Sequence, residues 1–170
     1  DRYGAAVKND GSVWCWGWNS DGQLGDNTTT ERHLPVQMKD PPGTGYLSGI
    51  DSISAGYSHM LCLKNDGTVW GVGNNSRGQL GDNTTTERHL PVQVKDNPGT
   101  GYLTGIKEIS GGDRFSMAWK DDNTVWGWGW NTKGALGDGT NGNQRETPVQ
   151  PTNALCGSGA LFPLPVQWLK

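Results

Sequence analysis

The chain has 170 residues, of which only 32% are hydrophobic and 27 are glycine; this composition excludes long apolar helices, and no stretch approaches the roughly 18 apolar residues of a membrane span. The 14 basic and 17 acidic residues form no run of either sign and leave a net charge of −3, so no nucleic-acid partner is expected, because such proteins normally present a basic face to phosphates. Short strands joined by Gly-, Asn- and Asp-rich turns remain, with nine tryptophans to supply buried area.

The sequence repeats itself after 56 residues. The stretch GQLGDNTTTERHLPVQ at residues 22–37 recurs letter for letter at 78–93. A more diverged third copy covers 120–140 and loses the pattern after Pro148-Val149-Gln150. The copies predict three structural units at 1–55, 56–111 and 112–170, the first of which lacks its opening strand.

Within the middle copy, four strands are predicted in chain order, at 50–54, 58–64, 68–74 and 90–95. Asn65-Asp66-Gly67 joins the second to the third, since Asp-Gly tolerates the positive φ of a tight hairpin turn. Four short antiparallel strands per repeat, with a recurring Trp-Gly signature, predict an all-β β-propeller of four-stranded blades, with about three blades in this chain. A β-solenoid is the alternative, although its repeats are usually shorter and lack such a central hairpin.

The tryptophans are assigned mainly to the core between blades. Along the predicted third strand they alternate with small residues, which makes one face of each sheet bulky and the other nearly bare. The residues at these core positions are Trp14, Trp16, Trp70, Trp126 and Trp128. Trp18 and Trp130 escape this explanation, because the middle copy has Asn74 at the equivalent position.

Polar residues that recur in every copy are predicted to serve the blade itself. An aspartate after Leu-Gly is expected to fix a turn by accepting backbone N–H groups, and an arginine before x-x-Pro to bridge to it or to carbonyls. These residues are Asp26, Asp82 and Asp138, with Arg32, Arg88 and Arg145. His59 is interpreted as a packed, hydrogen-bonded histidine, since the other copies have Tyr3 and Phe115 there.

The stretch AGYSHMLCLKNDGTVWGVGNNSRGQLGDNTTTERHLPVQV at 55–94 resembles the regulator of chromosome condensation repeat. The matching elements are Gly-x-x-His, Asp-Gly-x-Val-Trp, Gly-Gln-Leu-Gly-Asp and Arg-x-x-Pro-Val, and only about 151–164 falls outside the resemblance. The third copy departs from the pattern at Asn123 and Ala135. The resemblance implies a β-propeller, typically seven-bladed in this family, and relatives that include protein-binding regulators and a secreted β-lactamase-inhibiting propeller.

Three repeats are too few for a closed ring, which needs at least roughly four blades. We therefore expect either a part of a longer propeller chain or one subunit of an oligomeric ring, in which two chains would give six blades. Exposed strand edges and apolar faces at each end favour the first interpretation. The unusual tail at 161–169 is a candidate for the missing first strand that closes the ring.

No catalytic constellation is present, since the sequence lacks Gly-x-Ser-x-Gly, His-Glu-x-x-His, a phosphate loop and any CxxC pair. We predict neither an enzyme nor a metal or cofactor site. Cys15 and Cys62 are interpreted as buried free thiols, a disulfide between them being the alternative in a secreted protein. Cys156 follows at an unrelated spacing.

Function in a repeat scaffold is expected where the copies differ or where bulk points to solvent. Three groups meet this condition: two strand-end tryptophans, one loop position that varies in charge, and two tyrosines flanked by glycine in long loops. The predicted partner-binding residues are Trp18 and Trp130, then Asp21, Arg77 and Lys133, then Tyr46 and Tyr102.

Three functions are compatible with this pattern. The favoured one is a non-catalytic scaffold that grips another protein through loops on one propeller face. The alternative is a secreted or cell-surface carbohydrate-binding module, whose main support disappears if Trp18 and Trp130 are buried between blades. Guanine-nucleotide exchange with chromatin binding, which the resemblance implies, is opposed by the acidic balance. Asn- and Thr-rich repeats and abundant tryptophan favour an extracellular or cell-surface location.

Overall fold

The computed structural model describes residues 3–152 as three antiparallel β-sheets that follow one another along the chain. The first sheet contains β1 (Tyr3–Val7), β2 (Val13–Gly17) and β3 (Arg32–Gln37). The second contains β4 (Ile50–Ala55), β5 (His59–Lys64), β6 (Val69–Gly73) and β7 (Arg88–Gln93). The third contains β8 (Ile106–Gly111), β9 (Phe115–Lys120), β10 (Val125–Gly129) and β11 (Arg145–Val149), with a short 3-10 turn at Thr132–Gly134.

The predicted all-β class with one sheet per repeat is confirmed. Strand β4 pairs with β5, so the middle sheet begins at residue 50, ahead of the predicted division at 55/56. These unit boundaries stay a prediction. The candidate closing strand at 161–169 and Cys156 lie outside the described residues.

Each central hairpin is built by its turn residues. Asp66 Oδ1 accepts hydrogen bonds from Thr68 N at 3.0 Å and Thr68 Oγ1 at 2.6 Å, and Gly67 adopts a φ of 77°. In the third copy Asn123 takes the same left-handed conformation, with a φ of 64°, which asparagine tolerates better than most side chains. The hairpin therefore survives the loss of glycine.

The fourth strand of the middle sheet starts two residues earlier than the predicted 90–95. Arg88 pairs with Gly73 and Val92 with Gly71, so β7 carries extra residues opposite β6. A bulge of this kind is invisible to a side-chain alternation pattern because it changes the local pairing and not the composition.

Apolar side chains fill the two spaces between neighbouring sheets. Between the first and second sheets lie Val13, Cys15, Leu24, Met38, Met60, Cys62 and Val72. Between the second and third lie Leu61, Leu63, Val69, Val94, Ala118 and Trp128. The middle sheet thus packs one face against the preceding sheet and the other face against the following one, and we call the three sheets blades.

The first strands of the second and third blades, β4 and β8, lie against each other. Gly111 N donates a hydrogen bond to Ser54 Oγ at 2.9 Å, and a Cβ added to Gly111 would lie 2.8 Å from Gly56 N. These first strands therefore form the inner edge of the blades. The outer strands β3, β7 and β11 contain Pro35, Pro91 and Pro148, which blunt the exposed edges against pairing with another chain.

The long connection after the third strand reaches the outer strand of the next blade. Asn27 N donates to His89 O at 3.1 Å, and Asn83 N donates to Glu146 O at 2.9 Å. The repeat therefore encodes contacts between blades as well as the blade itself.

The expected core position holds for Trp128 and is wrong for Trp16. Trp128 is fully buried between the second and third blades, whereas Trp16 is 37% exposed. Trp16 lies on the face of the first blade that has no neighbour among the described residues, and its ring covers Gly4. Burial at this position depends on a preceding blade.

Three further strand tryptophans, Trp14, Trp70 and Trp126, are half-buried at the hairpin ends of their blades. Each indole N–H donates to a hairpin hydroxyl: Trp14 to Ser12 at 3.1 Å, Trp70 to Thr68 at 3.2 Å and Trp126 to Thr124 at 2.9 Å. Trp14, Trp70 and Trp126 therefore pack over the hairpins and do not lie at the centre of the core.

Candidate protein-binding face

Strand alternation divides the connections between two faces of the molecule. In an antiparallel blade the connections after the first and third strands leave at one end, and the others leave at the opposite end. The long-loop face consists of 18–31, 56–58, 74–87, 112–114 and 130–144. The hairpin face consists of 8–12, 38–49, 65–68, 94–105 and 121–124.

The predicted partner-binding residues do not all come together. The long-loop face holds Trp18, Asp21, Arg77, Trp130 and Lys133. Tyr46 and Tyr102, which are 59% and 50% exposed, lie on the hairpin face. A single partner bound to one face therefore meets one group or the other.

The loop position that varies in charge forms contacts across blades. Asn74 Nδ2 donates to Asp21 Oδ1 at 2.7 Å, joining the second blade to the first. One repeat further, the Arg77 guanidinium carbon lies 5.5 Å from the Trp130 ring centroid. The loop residue of one blade is thus matched to the strand-end residue of the next, and these differences between copies have a structural use.

Trp130 is half-buried and approached by two cations. Besides Arg77 from the preceding blade, Arg114 of its own blade places its guanidinium carbon 5.2 Å from the ring centroid. Trp18 is half-buried as well. Neither indole is the bare, flat surface on which a sugar ring stacks.

Two exposed residues that the sequence did not single out stand beside these contacts. Tyr57 is 53% exposed, and the Arg114 side chain is 45% exposed. Both line a hollow of about 220 Å³, together with Ser58, Asn74, Ser76, Gln79 and Asp113. The signal for them was that the turn after each first strand differs between copies, with Tyr57-Ser58 in the second and Asp113-Arg114 in the third.

The hairpin face meets a larger groove at the outer rim. Tyr102 lines this groove of about 680 Å³ with Trp70, Leu90 and Pro91. The Lys95 ammonium lies 4.1 Å from the Tyr102 ring centroid. The aromatic ring of Tyr102 is therefore already in contact with a cation of its own blade.

The recurring aspartate and arginine hold the long connection in shape. Asp82 Oδ1 accepts hydrogen bonds from Thr84 N at 3.1 Å and from Asn75 Nδ2 at 2.9 Å, while Asp82 Oδ2 lies 2.7 Å from Arg88 Nη2. The pairs Asp26–Arg32 and Asp138–Arg145 repeat this arrangement. Their ion pairs are internal to each blade.

Hydrogen bonding to the carboxylates of Asp26 and Asp138 outweighs the cost of burying them. Burial alone would raise the pKa of Asp138, but hydrogen bonds from Thr140, Arg145 and Asn131 hold it at about 2. The pKa of Asp26 is lowered in the same way, against the effect of burial, by Thr28 and Arg32. Asp26 and Asp138 are therefore ionised near neutral pH and are not poised for proton transfer.

His59 lies in the core between the second and third blades. It is fully buried, and its Nε2 lies 3.0 Å from Ser116 Oγ. Burial lowers its pKa to about 4, so the ring is neutral near pH 7. Its position keeps it away from any partner.

The two cysteines of the described residues are free and buried, without a disulfide between them. Burial raises the pKa of Cys15 to about 12, and the pKa of Cys62 is raised as well, mainly by burial. Neither thiol carries the thiolate character of a catalytic nucleophile.

Within residues 3–152 no group of three or more His, Cys, Asp or Glu side chains is placed to hold a metal ion. The same part of the chain has no helix of the length and apolarity needed to cross a membrane.

Comparison with known proteins places these features in a family. The regulator of chromosome condensation (RCC1) repeat matches residues 10–63, 66–119 and 122–155. The ultraviolet-B receptor UVR8 of Arabidopsis thaliana is 30% identical over 138 residues, covering 81% of this chain and 30% of the receptor. The secretion-regulating guanine nucleotide exchange factor of Mus musculus is 28% identical over 197 residues, covering 99% of this chain and 42% of that protein.

A solved structure supports the fold. The crystal structure of Prp20p from Saccharomyces cerevisiae matches with a TM-score of 0.75 at 22% identity, covering 91% of this chain and 37% of that one. The chain therefore spans less than half the length of each protein named here. Its blades are those of a β-propeller, and the chain belongs to the RCC1 repeat family.

Proposed function

We propose that the chain is a non-catalytic β-propeller scaffold that binds another protein through its long-loop face. The observation that carries this proposal is the pair Tyr57 and Arg114, an exposed aromatic ring and an exposed guanidinium lining one hollow. Tyrosine and arginine are enriched among the residues that dominate protein–protein binding energy. The Trp130 ring holds Arg114 in place, which reduces the entropy lost on binding.

The relatives support a protein partner. The structural study of Prp20p reports its binding properties to Gsp1p and histones, and a further crystal structure shows Kap60 bound to yeast RCC1 (Prp20). We extend from them only the class of partner, another protein, because the chain covers a minor part of each. The extracellular or cell-surface location expected from composition stays a prediction.

The carbohydrate-binding alternative is weaker. Arg77 and Arg114 both lie within contact of the Trp130 ring, so a sugar would have to displace a guanidinium in order to stack there. The two exposed tyrosines named in that hypothesis lie on the opposite face from Trp18 and Trp130.

Guanine-nucleotide exchange is a second candidate because the mouse relative named as an exchange factor aligns with 99% of this chain. Release of a fluorescent guanine nucleotide from a purified small GTPase measures this activity directly. If the chain accelerates nucleotide release and Arg114→Ala abolishes that acceleration, the long-loop face would be established as the site of exchange activity.

The scaffold proposal is tested by mutating each face separately. The double variant Tyr57→Ala/Arg114→Ala removes the long-loop pair, and Tyr46→Ala/Tyr102→Ala is the matched control on the hairpin face. A protein captured by the wild-type chain is identified and purified, and its affinity for each variant is then measured by calorimetry.

We expect the long-loop variant to bind at least about thirtyfold more weakly, the loss typical of an interface hot spot. The hairpin-face variant should bind within about threefold of the wild type. The opposite ranking would assign the partner to the hairpin face and overturn the proposal.

A further inference from the structure

A groove of about 680 Å³ lies at the outer rim between the first and second blades, and we call it the rim groove. Asn27 and Pro41 line it from the first blade, and Trp70, Tyr102 and strand β7 line it from the second. These two blades pack against each other inside the chain, so the rim groove belongs to an interface within the chain and not to either of its ends. Its volume is that of a typical ligand site.

Two residues distinguish the rim groove from the corresponding region between the second and third blades. Leu90 and Lys95 line the groove, whereas the third copy has Thr147 and Thr152 at the same repeat positions. Leu90 also reaches the first blade, since a Cβ added to Gly43 would lie 3.2 Å from Leu90 Cδ1. An apolar side chain and a cation are therefore combined at the outer rim of one described interface and not of the other.

The accessible lining of the rim groove includes two aromatic rings and two apolar side chains. Tyr102 is 50% exposed, Trp70 and Leu90 are half-buried, and Pro41 on the opposite wall is exposed. Aromatic-lined grooves bind proline-rich segments, because a polyproline II helix is already extended before binding and loses little conformational entropy. The lining therefore suits an extended, proline-rich segment of another protein.

The backbone of β7 opposes a segment that binds as an additional strand. Pro91 has no N–H to donate, and His89 O already accepts a hydrogen bond from Asn27 N at 3.1 Å. Strand addition depends on a row of open backbone donors and acceptors, whereas a polyproline II segment docks its rings against aromatic side chains. The rim groove therefore favours polyproline II recognition over strand addition.

The charges of the rim groove favour an acidic occupant. Asp82 pairs with Arg88, and Glu87 pairs with His89. Among the charged residues that line the groove, Lys95 forms no ion pair within residues 3–152. A carboxylate placed against the Lys95 ammonium would complement this charge, which at an exposed site is worth up to about fivefold in affinity.

We propose that the rim groove binds an acidic, proline-rich segment of a protein partner. The proline rings lie against Trp70, Tyr102 and Leu90, and a carboxylate of the segment lies against Lys95. The lining residues extend along β7 from Glu87 to Lys95, up to roughly 25 Å of extended chain, which a polyproline II helix covers with about eight residues.

This surface is separate from the one in the proposed function. The rim groove shares no lining residue with the hollow that contains Tyr57 and Arg114. A partner on the long-loop face and a segment in the rim groove therefore bind independently, and failure of one proposal leaves the other standing.

The test uses a fluorescein-labelled peptide of about eight residues, composed of proline and leucine and ending in a pair of glutamates. A matched peptide ends in lysines instead. Its binding to the full 170-residue chain is measured by fluorescence anisotropy. Leu90→Thr/Lys95→Thr introduces the residues of the third copy, so both changes suit the blade fold. Leu34→Thr/Lys39→Thr makes the same changes at the equivalent positions of the first copy, which do not line the groove.

We expect the wild type to bind the glutamate peptide about fivefold more tightly than the lysine peptide. Leu90→Thr/Lys95→Thr should bind the glutamate peptide about tenfold more weakly, because apolar contact and charge are both lost. Leu34→Thr/Lys39→Thr should stay within about threefold of the wild type. The single variant Lys95→Thr should lose the preference for glutamate over lysine, and circular dichroism verifies that each variant keeps the β fold.

Three results would overturn the proposal. The first is a wild-type chain that does not bind the glutamate peptide at any concentration reached. The second is equal binding of the glutamate and lysine peptides, or a preference for glutamate that Lys95→Thr leaves unchanged. The third is a loss of affinity that is the same in both double variants, because the peptide would then bind outside the rim groove.

Discussion

Arg77 of the second blade and Trp130 of the third blade form a cation–π contact, with 5.5 Å between the guanidinium carbon and the ring centroid. At the same two repeat positions one blade earlier, Asp21 accepts a hydrogen bond from Asn74 at 2.7 Å. The copies therefore differ in pairs. A residue that varies in one blade is complemented in the next, and the interface between blades persists while its chemistry changes.

This pairing predicts energetic coupling between the two positions. Arg77→Asp and Trp130→Asn should each destabilise the fold, and the double variant should be about 1 kcal/mol more stable than the sum of the single effects, because Asp and Asn restore a hydrogen bond. Urea denaturation of the four proteins gives the coupling free energy. Strictly additive effects would show that the two residues do not sense each other.

Asp82 in the long loop should contribute more to the free energy of unfolding than Asp66 in the hairpin turn. Asp82→Ala removes one acceptor from the buried Asn75 amide and the carboxylate partner of Arg88, and we expect a loss of about 2 to 3 kcal/mol in the free energy of unfolding. The control Asp66→Ala removes a turn acceptor at the solvent-exposed hairpin and should cost less than about 1 kcal/mol. Chemical denaturation decides between them, and equal losses would contradict the anchoring role of Asp82.

Because of His59, the free energy of unfolding should decrease on mild acidification. Its pKa in the folded chain is about 4 and about 6.5 in an unfolded one. The unfolded state therefore binds the proton first, and stability that is complete above pH 6.5 is lost as the pH falls towards 4. The loss amounts to about 3 kcal/mol.

The variant His59→Phe, which places the residue of the third copy in the second, should remove this part of the pH dependence. His33→Gln alters an exposed histidine and should leave the dependence as it is in the wild type. Urea denaturation at several pH values between 4 and 7 measures the difference. An unchanged slope in His59→Phe would show that another group causes the acid loss.

The buried thiols should react only when the fold opens. In a Cys156→Ser background, Cys15 and Cys62 are expected to resist an aromatic disulfide reagent near neutral pH, because burial raises the pKa of both thiols. Both should then titrate in denaturant without a reducing agent. Fast labelling of the native protein would contradict their burial, and missing thiols after denaturation would indicate a disulfide.

The sequence alone predicted only part of the candidate binding face. The variable residues Asp21, Arg77 and Trp130 were identified because the copies differ there, and five of the seven predicted partner-binding residues share the long-loop face. Their use as contacts between blades was not predicted, because Asn74 lies 53 residues from Asp21 in the chain. Tyr57 was overlooked since a single tyrosine in a short turn has no pattern that distinguishes it.

The sequence alone determined the strands, the hairpins and the blade as the repeating unit. The strands and hairpins depend on turn chemistry and side-chain alternation over a few residues, and the same pattern recurs in all three copies. Only the tertiary structure decided which tryptophans are buried. Trp16 and Trp128 are the same residue type at the same repeat position, yet Trp16 is exposed and Trp128 is buried. Burial at this position is decided by whether a neighbouring blade packs against it, and not by the strand that carries the side chain.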